Sequence, residues 1–289
     1  MKIEELCERY AYPIEFKEKM QYLFSRVKES EIDSILATYG SAETLRFKEL
    51  SSVLDELSMK YNESRYTFNL FALVCLLPRL LKEFDKQGVP QNIALNTIGD
   101  IRYKYQECVN VHGVVGVSVW DGWYEQFLKL KLLQIGRLQY EYEYFLFDRY
   151  EKDGKVVVKG DDVLSVHIPA TGTPLRIEDV LESYERAKVF FAKRFEGKQM
   201  TFICWSWLLN PDNETIMDEN SNIIRFKRTY EIINREEYPD YNVLAPWIFG
   251  RKNVGDLEPL ETDTSLQKRI KAHLRKGGKL GRGYGVFFA

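Results

Sequence analysis

At 289 residues, with 45% apolar and 29% charged side chains, the chain can form one large or two ordinary folded domains and is not a disordered one. A formal net charge of -2 excludes a protein built to coat nucleic acid, which needs a basic surface against phosphate. The first residues hold no apolar core of secretory type, and the longest apolar run, 70–77, is far short of the roughly 20 residues a membrane-spanning helix needs.

Cys7, Cys75, Cys108 and Cys204 are scattered, with no CxxC pairing. That predicts a reduced, cytoplasmic protein without disulfides or structural zinc, and with no nucleic-acid or membrane partner.

In chain order, residues 1–135 read as helical. Phe16, Met20, Leu23 and Val27 fall on one face and predict a helix over 16–27. Ser41 as cap, Glu43 in the first turn and Leu45, Leu50, Val53, Leu54 and Leu57 at helical spacing predict another over 41–59. The stretch 67–84 is apolar nearly all round, as in a buried helix, and Pro78 should kink or interrupt it. Gly88 and Pro90 break the chain, and Pro90 suits the first turn of a helix running to about Val109. Trp123, Phe127, Leu130 and Leu133 predict a last helix over 121–133.

At Gly136 the period changes from 3.6 to 2. Leu138, Tyr140, Tyr142, Tyr144 and Leu146 share one face and Gln139, Glu141 and Glu143 the other, which predicts a half-buried strand. Asp153-Gly154 signals a hairpin. Further strands are expected over 161–168, 200–208, 223–232 and 284–288, with helices over 176–195 and 264–276. The fold class is therefore α+β: a helical N-terminal domain over 1–135, followed by a mixed-sheet α/β domain over 136–289.

No Rossmann or P-loop fingerprint and no metal-ligand spacing occurs, and the three histidines are dispersed. The segment Ala170-Thr171-Gly172-Thr173-Pro174 joins a strand to a helix. It is either a phosphate cradle at a helix N-terminus or an ordinary connection with glycine for its turn. His167, ending a strand, is either a general base or a partly buried histidine holding a backbone carbonyl. His112 reads as part of a turn and His273 as part of an exposed basic helix. In Cys204-Trp205-Ser206-Trp207, alternation separates Cys204 and Ser206 from the two tryptophans, which read as core or as a ligand platform. Cys204 lacks a neighbouring cation to activate it. Ser206 could donate to a developing oxyanion or thiolate, or cap a turn. The run 218–222 reads as a polar turn or a ligand contact. Arg269, Lys271, Arg275, Lys276, Lys279 and Arg282 around Gly277 and Gly278 read as a solvated face or a phosphate patch.

Several stretches together resemble the bacterial GNAT-like acyltransferase-domain family, which joins a helical N-terminal domain to a GNAT-like C-terminal domain. They are Gly136-Arg137-Leu138-Gln139-Tyr140, His167-Ile168-Pro169 with Gly172 and Pro174-Leu175, Ser206-Trp207-Leu208-Leu209 with Pro211, Ser221-Asn222-Ile223 with Phe226, and Thr264-Ser265-Leu266-Gln267 before Gly277-Gly278.

The resemblance implies a GNAT-like mixed sheet. It implies transfer of an acyl group from acetyl-CoA or another acyl-CoA, as co-substrate, to the amine of a small-molecule acceptor by direct attack. It also implies that the strand after the loop and helix splays away to admit the pantetheine arm. Val166 and Ile168 would then bind thioester and pantetheine, and Ala170, Thr171, Gly172 and Thr173 the pyrophosphate. His167 would be the base, directly or through water, and Ser206 or Cys204 would protonate or polarise the leaving thiolate. The loop departs from the family's usual Arg or Gln followed by a glycine-rich run. Two other readings stand beside this one: a non-catalytic ligand-sensing or protein-interaction module, and a thiol hydrolase using Cys204.

Overall fold

The apolar spacing of the first part of the chain produces helices. The computed structural model describes residues 3–289. The helices are α1 (Ile3–Tyr10), α2 (Ile14–Arg26), α3 (Glu29–Tyr39), α4 (Phe47–Tyr61), α5 (Arg65–Lys86), α6 (Gln91–His112) and α7 (Asp121–Leu128). Phe16, Met20 and Leu23 are buried along one side of α2, as their spacing requires.

Three expectations change here. Ser41 does not cap a helix over 41–59. Gly40, in a positive-φ conformation, ends α3, and the Ser41 N–H donates to Thr44 Oγ1 at 2.9 Å within a turn. The chain becomes helical again only at Phe47. Pro78 does not interrupt α5. Proline in a helix costs about 3 kcal/mol, whereas burying each large apolar side chain contributes about 1.5–3 kcal/mol. Phe68, Leu70, Phe71, Leu73, Leu76 and Leu77 are all withdrawn from water, so burial wins. The last helix stops at Leu128, and Leu133 lies in a strand.

The chain divides into two units, Met1–Leu132 and Leu133–Ala289. The second is built on β1 (Leu132–Ile135), β2 (Leu138–Tyr144), β3 (Arg149–Lys152), β4 (Lys155–Val158), β5 (Asp162–His167), α8 (Ile177–Phe191), β6 (Thr201–Ser206), α9 (Asn213–Ile216), α10 (Asn222–Lys227), β7 (Glu231–Glu237), α11 (Ala245–Phe249), α12 (Ser265–Arg275) and β8 (Gly281–Phe288). The six-stranded sheet has the order β1-β2-β5-β6-β8-β7, and β3-β4 form a separate hairpin. Asp153 and Gly154, both at positive φ, make the tight turn that the sequence signalled. Strands β5 and β6 are parallel and are joined by α8, which supplies the crossover such a pair needs.

The expected strand over 223–232 is in fact two elements. Ser221 Oγ accepts from the Ile224 N–H at 3.3 Å and starts α10; the strand begins only at Glu231.

Helix α8 covers one face of the sheet. The Tyr140 hydroxyl meets Ser183 Oγ at 2.8 Å, and the Tyr184 ring lies 5.5 Å from Phe202. Gly136 is required there: its φ is +66°, and an added Cβ would press on Ser183 at 3.3 Å. The opposite face is covered at one end by an apolar cluster of Phe145, Val157, Val163, Ile203, Tyr284 and Val286.

Candidate active site

The parallel pair is the feature on which the site is built. Pairing between β5 and β6 is confined to Leu164 with Phe202 and Ser165 with Ile203. Beyond that point each strand is still held on its outer side. Gln139 of β2 pairs with His167, and Gly283 of β8 pairs with Ser206. The two strands thus part at their C-terminal ends. Alternate backbone groups over 166–168 and 204–206 face a split instead of a partner strand, and an extended ligand could satisfy them.

His167 stands beside this split. Its Nε2 lies 3.1 Å from Glu141 Oε2; the histidine side chain is 42% exposed and that of Glu141 only 7%. This corrects the reading of β2 as a strand with one polar, solvated face: Gln139 and Glu141 are 3% and 5% exposed, whereas Tyr144, expected on the buried face, is exposed. Spacing alone did not join these two residues; a glutamate in a strand near the one strand-borne histidine was a signal that could have done so.

After β5 the chain crosses Pro169, whose carbonyl accepts from Arg137 Nη1 at 3.0 Å. The Thr171 N–H donates to the same carbonyl at 2.9 Å, and the Thr171 and Thr173 hydroxyls meet at 2.8 Å. Gly172 has φ +74° and open space around it. Arg176 occupies the N-cap position of α8, and Glu178 and Asp179 fill its first turn. The Glu178 carboxyl is held below its ordinary range, first by its own backbone N–H and then by Arg225 at 2.8 Å. Carboxylates therefore already occupy the positive end of the helix dipole, with Arg176 and Arg225 beside them.

The expected grouping of His167 with Cys204 and Ser206 does not form. Strand alternation and register put His167 on the face of Trp205 and Tyr284, and Cys204 and Ser206 on the face of α8. Cys204 is fully buried. Burial pushes its thiol well up, with a Tyr230 hydrogen bond opposing. A thiol held neutral out of reach of solvent is no nucleophile, which removes the hydrolase reading. Ser206 Oγ accepts from the Leu208 N–H at 3.2 Å and caps the short 3-10 turn Trp207–Leu209.

On the His167 face, Trp205 is 37% exposed and meets Tyr284 edge-on at 5.3 Å. The Arg282 guanidinium lies 4.4 Å from the Trp205 ring centre and is held by Glu236 at 2.6 Å. Trp205 is therefore not simply core. Tyr284, which the sequence did not single out, has a buried hydroxyl without a hydrogen-bond partner among the described residues. Burial, with Glu143 and Cys204 adding, raises its phenol so that it stays protonated.

The remaining candidates are structural. His112 ends α6 and lies 4.7 Å from the Tyr66 ring. His273 Nε2 donates to the Lys279 carbonyl at 2.9 Å. In the run 218–222, Asp218 Oδ1 accepts from the Asn220 N–H at 3.0 Å within a turn. The basic cluster is largely paired: Arg269 with Asp218, Arg275 with Glu258, Lys279 with Glu237 and Arg282 with Glu236. The glycines of β8 allow close packing, since a Cβ at Gly283 would come within 2.3 Å of the Leu209 carbonyl oxygen. Among the described residues no group of three His, Cys, Asp or Glu could hold a metal, and no helix is long and apolar enough to cross a membrane.

A sheet whose central parallel pair parts at the end of one strand, followed by a loop and a crossover helix, defines a GNAT-like domain. Residues 132–287 match the model of the GNAT-like C-terminal domain, and residues 1–130 match that of the N-acyltransferase N-terminal domain. The chain belongs to this two-domain N-acyltransferase family. Among solved structures, it resembles an acyltransferase in complex with decanoyl-CoA, with 20% identity, a TM-score of 0.72, and 98% of this chain and 86% of that one covered. A complex with decanoyl-CoA and teicoplanin has 19% identity, a TM-score of 0.70, and coverage of 99% and 87%. A mutant acyltransferase in complex with octanoyl-CoA has 20% identity, a TM-score of 0.71, and coverage of 98% and 86%. At this identity the likeness speaks for the fold. Among curated proteins, none matches the chain.

Proposed function

We propose that the protein transfers an acyl group from acyl-CoA to the amine of a small-molecule acceptor by direct attack. The observation that carries this is the parting of β5 and β6 beside His167. The pantetheine arm would lie in the split against the backbone of Val166 and Ile168, and the pyrophosphate over the loop of Ala170, Thr171, Gly172 and Thr173. His167 takes a proton from the attacking amine, directly or through water. The leaving thiolate takes its proton from solvent, because Ser206 and Cys204, expected earlier in that role, lie on the face of α8. The family supports the reaction class, and relatives holding decanoyl- and octanoyl-CoA support a fatty acyl donor beside the acetyl one. A relative bound to both decanoyl-CoA and teicoplanin supports a small-molecule acceptor. The cysteines are free thiols, as a cytoplasmic setting would keep them.

A non-catalytic ligand-sensing module has one observation on its side, the carboxylates Glu178 and Asp179 where an anionic ligand would dock. Thiol release from decanoyl-CoA and from acetyl-CoA, with a panel of primary amines, separates the two readings. Amine-dependent release, reduced about 10²–10³-fold by His167→Ala, is expected of the transferase with a histidine base. Binding of acyl-CoA with no release in the presence of any amine would favour the sensing module. A His167→Ala variant at the wild-type rate would remove the base assignment.

A further inference from the structure

We propose that Glu141 is a positioning residue that fixes which nitrogen of His167 reacts. This rests on the transferase reading above. Glu141 Oε2 lies 3.1 Å from His167 Nε2. An ionised carboxylate has no hydrogen to give, so the hydrogen between them belongs to Nε2. The neutral ring then carries its lone pair on Nδ1, and Nδ1 is the atom that accepts the proton.

The sheet builds this arrangement. Glu141 pairs in register with Ser165, and His167 pairs with Gln139. Glu141 and His167 are therefore diagonal neighbours on one face of an antiparallel pair, a spacing that long side chains bridge. The glutamate side chain is 7% exposed, whereas the histidine is 42% exposed. A buried carboxylate is costly unless it is hydrogen-bonded, so Glu141 is bound to keep its partner. The exposed part of the ring remains open to substrate. Other charged and titratable groups surround the pair: Glu143 follows on the same face of β2, Tyr284 lies on the same face of the sheet, and Arg137 is tied to the Pro169 carbonyl.

The reaction balances as follows. The amine nitrogen forms a bond to the thioester carbon, and the carbon–sulfur bond breaks with its electron pair going to sulfur. The proton lost by nitrogen passes to Nδ1, and the imidazolium is stabilised by a charge-assisted hydrogen bond to Glu141. Sulfur takes a proton from solvent, and Nδ1 returns its own to solvent.

The test has a readout independent of turnover. In full-length protein labelled with nitrogen-15 histidine, the His167 ring signals are assigned by comparison with His167→Ala. The proposal predicts the Nε2–H tautomer in the wild type and a mixture, or the Nδ1–H form, in Glu141→Gln. A wild-type ring in the Nδ1–H form would overturn it without any variant. With decanoyl-CoA and ethanolamine as probes, Glu141→Gln should lower kcat by about 10–100-fold with KM for decanoyl-CoA unchanged. Glu141→Gln that keeps both the wild-type kcat and the wild-type tautomer would also overturn it. So would full activity in His167→Ala beside an inactive Glu141→Gln, because Glu141 would then be the base itself. Should the wild type transfer no acyl group to any amine, the transferase reading fails, while the tautomer still decides whether Glu141 sets the ring.

Discussion

The two faces of the second unit's sheet are made from the same alternating strands and serve opposite ends. On the face under α8, Tyr140, Phe202, Tyr184, Phe287 and Tyr230 pack ring against ring, with Phe202 and Phe287 stacked at 4.8 Å. The Tyr184 hydroxyl there donates to Tyr230 at 2.9 Å, while the buried Tyr142 hydroxyl lacks a partner among the described residues. The other face is apolar around Val163 and Ile203 but ends in Gln139, Glu141, His167, Trp205 and Tyr284. There the buried Gln139 amide nitrogen and Tyr284 hydroxyl lack partners among the described residues. Unpaired buried polar groups cost free energy, so the polar end of this face is less well satisfied than a packed core.

That contrast can be broken by paired substitutions. Phe202→Ala, in the fully buried face, should lower unfolding free energy by about 3–5 kcal/mol in urea denaturation. Trp205→Ala, one strand residue beyond the next on the partly open face, should cost only about 1–2 kcal/mol, from lost stacking on Arg282 and Tyr284. Equal losses would mean that the second face is core as well.

A smaller effect sharpens the contrast through pH. Burial raises the Cys204 thiol and the Tyr140, Tyr184 and Tyr230 phenols, all on the α8 face, above their ordinary values. Each contributes stability that is fully present below its unfolded pKa. Above that value the unfolded chain has released protons that the folded chain retains, so stability falls. The loss should be about 1.4 kcal/mol per pH unit for each ionising group, beginning near about pH 8.5 for the thiol and about pH 10 for the phenols. Urea midpoints that stay level across this window would contradict the burial of these groups.

Much of the fold was legible because periodicity reports burial. The helix at Phe16, the Asp153-Gly154 hairpin and the strand–loop–helix–strand order around His167 all followed from spacing. The failures have physical causes. Ser41 and Ser221 look alike in sequence, yet Ser221 caps a helix, while Ser41 is consumed by Thr44 in a turn that Gly40 creates. Pro78 does not end its helix, because the burial of the helix's apolar side chains outweighs the proline. At the site, alternation correctly separated Glu141 from Tyr140, but it cannot tell a solvated polar face from a covered one, so the Glu141–His167 pair was missed. It did separate Cys204 and Ser206 from the tryptophans. What it could not supply was the register between β5 and β6, which puts His167 with Trp205 instead.

The central claim is that acyl-CoA enters the split between β5 and β6. Hydrogen exchange of the full-length protein, with and without decanoyl-CoA, tests it most directly. The split leaves the alternate amides over 166–168 and 204–206 that turn away from β2 and β8 without cross-strand pairing. Those amides should exchange readily in the free protein and become protected when decanoyl-CoA binds. Binding that protects other segments while leaving both stretches unchanged would contradict the account.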